Sequence, residues 1–455
     1  MDFWFRILTG FRKIYVTGIN KTFIRRRLRL KKLVIPCLYL QYEKAVTGFG
    51  QRNLFGDGDV EALASFYSDN DADELLVFDF SSADEEHEKA IGKIKDICLA
   101  SEIPVIAAGN IKRAEDVKKL IYAGCAKVVL NFSKQSNIDL LAEVSRRFGK
   151  EKMLVSISSE EEFAANKELI ETYADAVLAL DTVQDFIAEI SSVTVILHTD
   201  EGKEESLVRL LGTKAVAALS GDFVSSKETS VVEFKARCKA KGIPVRTFKS
   251  EISWSEFKLN SDGMIPVIVQ DYKTDEVLML AYMNENAFNA TLKSGKMTYC
   301  SRSRNGLWAK GATSGNIQYV KSLTLSCNND TILAKVAQAG DACHTENRSY
   351  FVKTLMKKEY DDANPLKVFL DVYDTILDRK QNPKEGSYTN YLFDKGIDKI
   401  LKKVGEECTE IVIAAKNSDK EEIKCEISDF LYHMMVLMAE KEVSWEDITK
   451  ELARR

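Results

Sequence analysis

The sequence predicts a multidomain protein: a (β/α)8 barrel, then a β-rich α+β domain, then an all-α helical domain. From residue 31, short apolar runs alternate with charged segments of helical spacing. Between 251 and 360, strand-like stretches alternate with Gly, Asn and Asp turns. After residue 366, apolar residues recur at i, i+3, i+4 and i+7, the signature of amphipathic helices that pack as a bundle. A chain of 455 residues has room for these domains.

The barrel is predicted from a regular alternation of apolar runs and amphipathic segments. Continuous apolar strands separated by such segments are typical of a parallel sheet covered by helices. Eight runs of this kind favour a closed barrel. An open doubly wound sheet is the alternative, disfavoured because no Gly-rich nucleotide fingerprint accompanies the strands. The runs are 33–38, 75–80, 104–109, 127–132, 153–158, 176–181, 193–199 and 215–221.

We place the domain boundaries where the pattern changes: a barrel at 31–250, a β-rich domain at 251–360 and a helical domain at 366–455, with a linker at 361–366. Residues 1–30 are strongly basic, with Asp2 as their only acid. Such a segment suits a membrane-surface helix, an organellar transit peptide or a translated upstream extension. Its glycines and scattered apolar residues give a poor amphipathic stripe, so a translated upstream extension is favoured, for which a disordered state is one option.

The composition limits the functional classes. The net charge of −5 gives no basic surface for nucleic acid, and no apolar run is long enough to span a membrane. The nine cysteines are scattered and odd in number, which is typical of a reducing compartment and predicts a cytoplasmic protein. With four histidines in the chain, any metal site must depend on cysteines or carboxylates.

Four carboxylates repeat one spacing in the helical domain. Glu407 and Glu410 stand three residues apart on one predicted helix, and Glu426 and Asp429 do so on the next. Residues at i and i+3 share a helix face, so the four acids are expected at the interior or the rim of the bundle. Converging acids would repel one another unless a divalent cation such as Mg²⁺ or Mn²⁺ neutralised them. A solvated acidic face explains the spacing equally well.

The stretch 387–433, with its E-x-x-E and E-x-x-D motifs, resembles phosphoribosyl-ATP pyrophosphohydrolase, a MazG-like all-α family of histidine biosynthesis. The resemblance covers nearly all of 366–455. It implies Mg²⁺ held by Glu407, Glu410, Glu426 and Asp429, and an attacking water oriented by Glu406. It also implies a phosphoribosyl nucleotide as substrate and a homodimer. The candidates for holding the substrate phosphates are Arg379, Ser387, Tyr388 and Lys403.

The segment 261–351 resembles phosphoribosyl-AMP cyclohydrolase, which opens the adenine ring with a zinc-bound water. The resemblance rests on "DGMIPVIVQDYKTDEVLMLAYMNENAF", "YCSRSRNGLWAKGATSGNIQ" and "ACHTENRSYF". Guanidinium groups bind phosphate and indole stacks on purines, so substrate contacts are expected at this segment. The candidates are Arg302, Arg304, Trp308 and Lys310.

The metal motif of this family is altered in the chain. The family has three zinc cysteines and three magnesium aspartates. Here Cys327 and Cys343 remain, Tyr350 stands at the third cysteine position, and Asp330 is the remaining aspartate because Ser326 and Asn328 replace the others. His344 is a candidate third Zn²⁺ ligand, which would give a Cys₂His set. The resemblance therefore implies an impaired cyclohydrolase, and the alternative is a relic whose thiols pack as small hydrophobes.

The barrel resembles the cyclase subunit of imidazole glycerol phosphate synthase, through "VIPCLYLQYEKAVTGFG" and "AAGNIKRAEDVKKLIYAGCAKVVLNFS". Tyr39 and Ser158 stand where that family has its catalytic aspartates, so the resemblance implies a barrel without the chemistry. We therefore expect a fusion protein of histidine biosynthesis. The competing interpretation is that only the pyrophosphohydrolase is active, while the barrel and the middle domain are scaffolds.

Overall fold

The computed structural model describes residues 31–49, 51, 53–81, 83–180, 193–199, 203–301, 306–342, 347–356, 358, 367–417 and 419–453. The basic extension and the linker predicted from the sequence lie outside these residues. The chain forms two compact units, Met1–Lys353 and Thr354–Arg455. The first holds the barrel and the β-rich region, and the second holds the helices. The finer boundaries at 250 and 360 stay a prediction.

The barrel sheet is closed by its first strand. β1 and β2 are two halves of one strand, separated at Pro36. β1 pairs in parallel with β10 and β2 pairs in parallel with β4, so together they join the last strand of the sheet to its beginning. The carbonyl oxygen of Pro36 accepts from the amide of Leu76, which continues the ladder across the break. In the described part of the chain the strands are β1 Leu33–Ile35, β2 Cys37–Gln41, β3 Lys44–Val46, β4 Leu75–Asp79, β5 Val105–Ala108, β6 Lys127–Asn131, β7 Met153–Ile157, β8 Ala176–Ala179, β9 Thr194–Thr199 and β10 Val216–Gly221.

Helices follow these strands along the chain, as the alternating pattern predicts. Several begin at a residue whose side chain accepts from free backbone amides: Asp59 bonds the amides of Glu61 and Ala62, and Ser230 bonds that of Glu233. The described helices of the barrel are α1 Val60–Asp69, α2 Asp84–Ala100, α3 Ala114–Ala123, α4 Gln135–Phe148, α5 Glu160–Tyr173, α6 Glu204–Leu211, α7 Asp222–Ser225 and α8 Val231–Ala240.

The barrel strands are buried on both faces, which explains why their sequences are continuously apolar. Alternate residues divide between two clusters. One lies inside the sheet and includes Ile35, Tyr39, Phe78 and Ile106, and the other lies between the sheet and its helices. This closed, filled sheet confirms the predicted barrel.

The middle region contains a separate small sheet. In the described residues its order is β12-β11-β16-β15, and the hairpin β13–β14 lies outside it. β11 alternates buried and half-buried residues because one of its faces is less covered. The elements are β11 Ile265–Asp271, β12 Val277–Met283, α9 Glu285–Ser294, β13 Thr298–Ser301, β14 Gly306–Ala309, β15 Gln318–Leu325 and β16 Ile332–Gln338.

The barrel and the small sheet touch through a polar contact. The ammonium of Lys321 on β15 lies 2.8 Å from the carboxylate of Asp69 and 2.7 Å from that of Glu102, both from the barrel. The hydroxyl of Tyr272 also donates to Glu102. A close apolar contact lies at Gly295, where an added Cβ would stand 2.9 Å from the Phe248 ring. The two sheets are thus held in one compact unit.

The second unit is helical, as predicted. Its core includes Tyr373, Leu392, Ile400 and Val436. The helix α12 packs along α13, and α10 and α11 pack against them. None of the helices that the structure describes is both long and apolar enough to cross a bilayer. The elements are α10 Val368–Gln381, α11 Tyr388–Lys395, α12 Ile397–Ala414, α13 Lys420–Glu440 and α14 Trp445–Ala453.

Candidate active sites

An acidic cluster lies where α12 and α13 pack together. Glu407, Glu410 and Glu426 each offer a carboxylate oxygen within 4.8 Å of the other two. Glu407 is buried, Glu426 is half-buried and Glu410 is exposed, so the cluster sits at the rim of the bundle. Asp429, one turn beyond Glu426, is exposed and lies outside this group of three. The structure therefore brings together three of the four carboxylates predicted from the sequence.

Lys403 sets the charge on one side of the cluster. Its ammonium lies 2.9 Å from Glu407 and 3.0 Å from Glu406. The hydrogen bonds to Glu407 and Glu406 raise the pKa of Lys403, and the hydrogen bond from Lys403 lowers the pKa of Glu406. On the other side, loss of hydration and then the charge of Glu407 raise the pKa of Glu410. The cluster therefore keeps negative charge that Lys403 does not neutralise.

This donor set fits a hard divalent cation. Three carboxylates present oxygen ligands, which Mg²⁺ and Mn²⁺ prefer over nitrogen or sulfur. Their oxygens are close enough together to share one ion. After loss of hydration, the charge of Glu407 is the next cause of the raised pKa of Glu410, and a cation would relieve that repulsion. Glu407, Glu410 and Glu426 are the residues that could hold it.

The predicted phosphate-binding side chains already have partners. The Ser387 hydroxyl accepts from the amide of Asn390 and so caps α11. One guanidinium nitrogen of Arg379 lies 2.6 Å from the carboxylate of Asp378. The phenol of Tyr388 lies 3.2 Å from Nε2 of His433. The role of these side chains in phosphate binding stays a prediction.

Sequence reasoning missed His433. This imidazole is buried, its Nδ1 lies 2.8 Å from the carbonyl oxygen of Asp429, and the same nitrogen lies 3.7 Å from the Glu407 carboxylate. The available signal was its position four residues after Asp429, since residues at i and i+4 share a helix face.

In the middle region, Trp308 and Lys310 lie in one aromatic cluster. The Trp308 ring is 5.7 Å from that of Tyr299. The Lys310 ammonium is buried, donates to the carbonyl oxygen of Ala342, and lies 5.5 Å from the ring centres of both Trp308 and Tyr350. Lys310 therefore supports the chain directly before Cys343. Arg302 and Arg304, the other predicted substrate contacts, lie outside the described residues.

The predicted zinc ligands are described only in part. Cys327 is exposed in the turn between β15 and β16, where the Ser326 hydroxyl donates to Asp330 over 2.6 Å and accepts from its amide. The amide of Tyr350 donates to the carbonyl oxygen of Leu278, and its side chain packs on the core of the small sheet. Cys343 and His344 lie outside the described residues, so the metal site stays a prediction.

The C-terminal mouth of the barrel is filled by aromatic rings. Tyr39 is buried, its hydroxyl lies 3.1 Å from Asp222 and 3.3 Å from Nε2 of His198, and its ring is 5.0 Å from that of Phe49. The rings of Phe78 and Phe80 complete the group. Directly after β5, Gly109 has φ of +91°, and an added Cβ would overlap the carbonyl oxygen of Asp79.

The hydroxyl of Ser158 donates to both carboxylate oxygens of Glu162 over 3.0 Å. Ser158 is thus hydrogen-bonded to a carboxylate on the following helix. Tyr39 and Ser158, the residues at the family's catalytic positions, are both engaged in contacts within the fold.

Comparison with known proteins identifies three regions. The model of the family described as histidine biosynthesis protein matches residues 33–204. That of phosphoribosyl-AMP cyclohydrolase matches 279–352, and that of phosphoribosyl-ATP pyrophosphohydrolase matches 369–455. The three regions follow one another in the order predicted from the sequence.

Curated relatives of the chain are also proteins of histidine biosynthesis. The chain is 51% identical over 209 residues to the histidine biosynthesis bifunctional protein HisIE of Thermoanaerobacter pseudethanolicus, an alignment that covers 43% of this chain and 97% of the relative. Proteins of the same name from Caldanaerobacter subterraneus and Bacillus subtilis are 52% and 45% identical, over 45% and 44% of this chain and 98% and 95% of theirs. The chain therefore belongs to the family of histidine biosynthesis bifunctional proteins, hydrolases that carry phosphoribosyl-AMP cyclohydrolase and phosphoribosyl-ATP pyrophosphohydrolase domains.

Proposed function

We propose that this chain hydrolyses phosphoribosyl-ATP to phosphoribosyl-AMP and pyrophosphate at the acidic cluster of α12 and α13. The observation that carries the proposal is the convergence of Glu407, Glu410 and Glu426, whose carboxylate oxygens lie within 4.8 Å of one another inside the region matched by the pyrophosphohydrolase family. A solvated acidic face would spread its charges apart, so this grouping favours a metal site.

The ion that we propose is Mg²⁺, held by Glu407, Glu410 and Glu426, with Asp429 as a further ligand. When bound there, it would neutralise charge on the leaving pyrophosphate. The chemistry of the donor set supports the choice, because carboxylate oxygens suit a small hard cation.

The protein's own side chains would bind the substrate and orient the water. Glu406 remains ionised because Lys403 lowers its pKa, so it can accept a hydrogen bond from the attacking water. The ammonium of Lys403 contacts Glu406 and Glu407, and it can also donate a hydrogen bond to a substrate phosphate beside them. Arg379 and Ser387 are further candidates for phosphate contacts.

Replacing Glu410 with Gln tests the proposal, because it removes one charge from the cluster without changing the side-chain volume. We expect pyrophosphate release from phosphoribosyl-ATP to fall at least about 100-fold, as for loss of a metal ligand that supports catalysis. Glu421→Gln is the matched control, since Glu421 lies in the first turn of α13, is exposed and contacts Lys424 instead of the cluster. Unchanged turnover in Glu410→Gln, or in the wild-type protein with excess chelator, would refute the assignment.

For the middle region we propose hydrolytic opening of the adenine ring of phosphoribosyl-AMP, at a reduced rate. Cys327 and Cys343 would hold Zn²⁺, with His344 as the third ligand and as a catalytic group, and Asp330 would bind Mg²⁺. The match to the cyclohydrolase family supports the reaction. The reduced rate follows from Tyr350, since a phenol is a poorer zinc ligand than a thiolate.

The alternative function makes the barrel and the middle region scaffolds and leaves only the pyrophosphohydrolase active. One observation favours a scaffolding role for the barrel: its Asp69 and Glu102 bind Lys321 of the small sheet, while its mouth is filled by Tyr39, Phe49 and neighbouring rings. A barrel that holds its neighbour through specific ion pairs can be retained for stability alone.

We also propose a homodimer in the cytoplasm. Leu401, Val412 and Ile413 on α12 are half or more exposed, which leaves apolar surface for a second copy of the chain. The free thiols of the described cysteines are consistent with a reducing compartment. Light scattering on the purified protein would test the dimer, and a solution mass equal to one chain would contradict it.

A further inference from the structure

The imidazole of His433 joins three parts of the helical unit beneath the acidic cluster. It is 4% exposed. Its Nδ1 lies 2.8 Å from the main-chain carbonyl of Asp429 and 3.7 Å from the Glu407 carboxylate, and its Nε2 lies 3.2 Å from the Tyr388 hydroxyl. One side chain thus connects a metal-ligand candidate on α12, the backbone of α13 and the first residue of α11.

The partner of Nδ1 determines how the ring is protonated. A carbonyl oxygen can only accept a hydrogen bond, so Nδ1 carries a hydrogen and donates it to Asp429. In the neutral ring Nε2 then bears a lone pair and accepts from the Tyr388 hydroxyl. The Nδ1–H group also faces Glu407, and its partial positive charge attracts that carboxylate and helps to hold it at the cluster.

This arrangement decides what Tyr388 can offer to a substrate. Burial raises the pKa of the Tyr388 phenol, so the group stays protonated at neutral pH. Its single proton is already given to His433, and the oxygen therefore presents lone pairs to the solvent side, where the side chain is 47% exposed. Phosphate oxygens are themselves acceptors, so they are poor partners for this oxygen. A hydroxyl or an amine of the substrate is a suitable one.

We propose that His433 is a positioning residue of the pyrophosphohydrolase site. Its Nδ1 orients Glu407, and its Nε2 holds the Tyr388 hydroxyl so that the phenol oxygen acts as a hydrogen-bond acceptor. The group that this oxygen accepts from is a ribose hydroxyl or an amine of the substrate, and not its phosphates. The inference rests on the function proposed above, and it changes the expected role of Tyr388 from phosphate binding to recognition of the nucleoside part.

Four variants of the full-length protein test both bonds: Tyr388→Phe, His433→Leu, the double variant, and His433→Gln, whose amide keeps a polar atom near the position of Nε2. We expect Tyr388→Phe to raise KM for phosphoribosyl-ATP about 10-fold with little change in kcat, as for loss of one oriented hydrogen bond. Inhibition by inorganic pyrophosphate should stay unchanged. Tyr391→Phe is the matched control, one turn further along α11 and 42% exposed.

His433→Leu should raise KM to the same extent and also weaken the binding of Mn²⁺, followed by its paramagnetic resonance, about 10-fold. Because both single variants break the same bond, the double variant should have a KM no higher than that of His433→Leu. His433→Gln should recover part of the KM effect. Circular dichroism should show that every variant is folded.

Three results would overturn the inference: a pyrophosphate inhibition constant that rises together with KM in Tyr388→Phe, KM effects that multiply in the double variant, or Mn²⁺ binding that His433→Leu leaves unchanged. Failure of the proposed function itself looks different, because the wild-type chain would then release no pyrophosphate. The Mn²⁺ titration requires no turnover and would still decide whether His433 positions Glu407.

Discussion

Replacing Lys321 with Met tests whether the barrel stabilises the small sheet. The change keeps most of the aliphatic side chain and removes the ammonium that lies 2.8 Å from Asp69 and 2.7 Å from Glu102. Burial lowers the pKa of Lys321, but hydrogen bonds to the two carboxylates raise it by more, which shows that the ammonium is well paired in the folded state. Methionine would leave the two carboxylates without the ammonium that contacts both of them.

The exposed fractions of the three side chains determine how much free energy of unfolding the Lys321→Met variant should lose. Lys321 and Asp69 are 18% and 23% exposed, so their pair contributes about 1 kcal/mol, at the upper end for a surface ion pair. Glu102 is 42% exposed, and solvent screening reduces its share to about 0.5 kcal/mol. The less hydrated Asp69 would also lose the ammonium that lies 2.8 Å from its carboxylate, so we expect a total loss of about 2 kcal/mol at pH 7.

The sign of the pH dependence follows from the two carboxylates. Hydrogen bonds from Lys321 and Tyr272 outweigh burial and lower the pKa of Glu102, so its contribution is present above the unfolded pKa and is lost as the pH falls through the folded value. Burial raises the pKa of Asp69, and removal of Lys321 raises it further, so acid relieves the repulsion in the variant. The difference between wild type and variant should therefore shrink below about pH 4.

Urea unfolding followed by circular dichroism measures this difference. The matched control is Lys335→Met, because Lys335 pairs with Asp275 at 2.7 Å within the small sheet itself and both side chains are exposed. We expect the control to lose less than about 0.5 kcal/mol. An equal loss in both variants, or a loss from Lys321→Met that persists unchanged in acid, would refute a stabilising role of this contact.

Two further predictions concern the altered sites. The protein should not convert the aminoimidazole substrate of the cyclase family, because Tyr39 and Ser158 do not titrate near neutral pH and cannot act as a general acid and base. A turnover assay with that compound tests this prediction, and measurable product would contradict it. The purified protein should bind Zn²⁺ weakly, with affinity falling at mildly acidic pH because thiolates must lose protons, and Tyr350→Cys should tighten binding at least about 10-fold. Elemental analysis and zinc titration measure both, and equal affinity in the variant would exclude Cys327 and Cys343 as the site.

Most of the parallel barrel strands could be predicted from the sequence to within a few residues, whereas the short antiparallel β3 and parts of the sites could not. A strand buried on both faces must be continuously apolar, so runs such as 153–158 correspond closely to β7. The break at Pro36 was not predicted, because the carbonyl of a proline still joins the ladder and only the pairing shows which strand it contacts. The spacing of the four carboxylates located the acidic cluster, but the packing of α12 on α13 decides that three of them converge. His433 depends on contacts with α11, which no local pattern reports.

The polar contact between the barrel and the small sheet has a consequence for synthesis. β15 lies at an edge of its sheet, with an isolated bridge from Lys296 to Tyr319 near its start and Lys321 two residues later. Unpaired strand edges recruit strands from other chains and promote aggregation. The barrel precedes β15 in the chain, so it leaves the ribosome earlier and can fold before that strand is made. The nascent strand therefore meets Asp69 and Glu102 within its own polypeptide before it can meet another molecule.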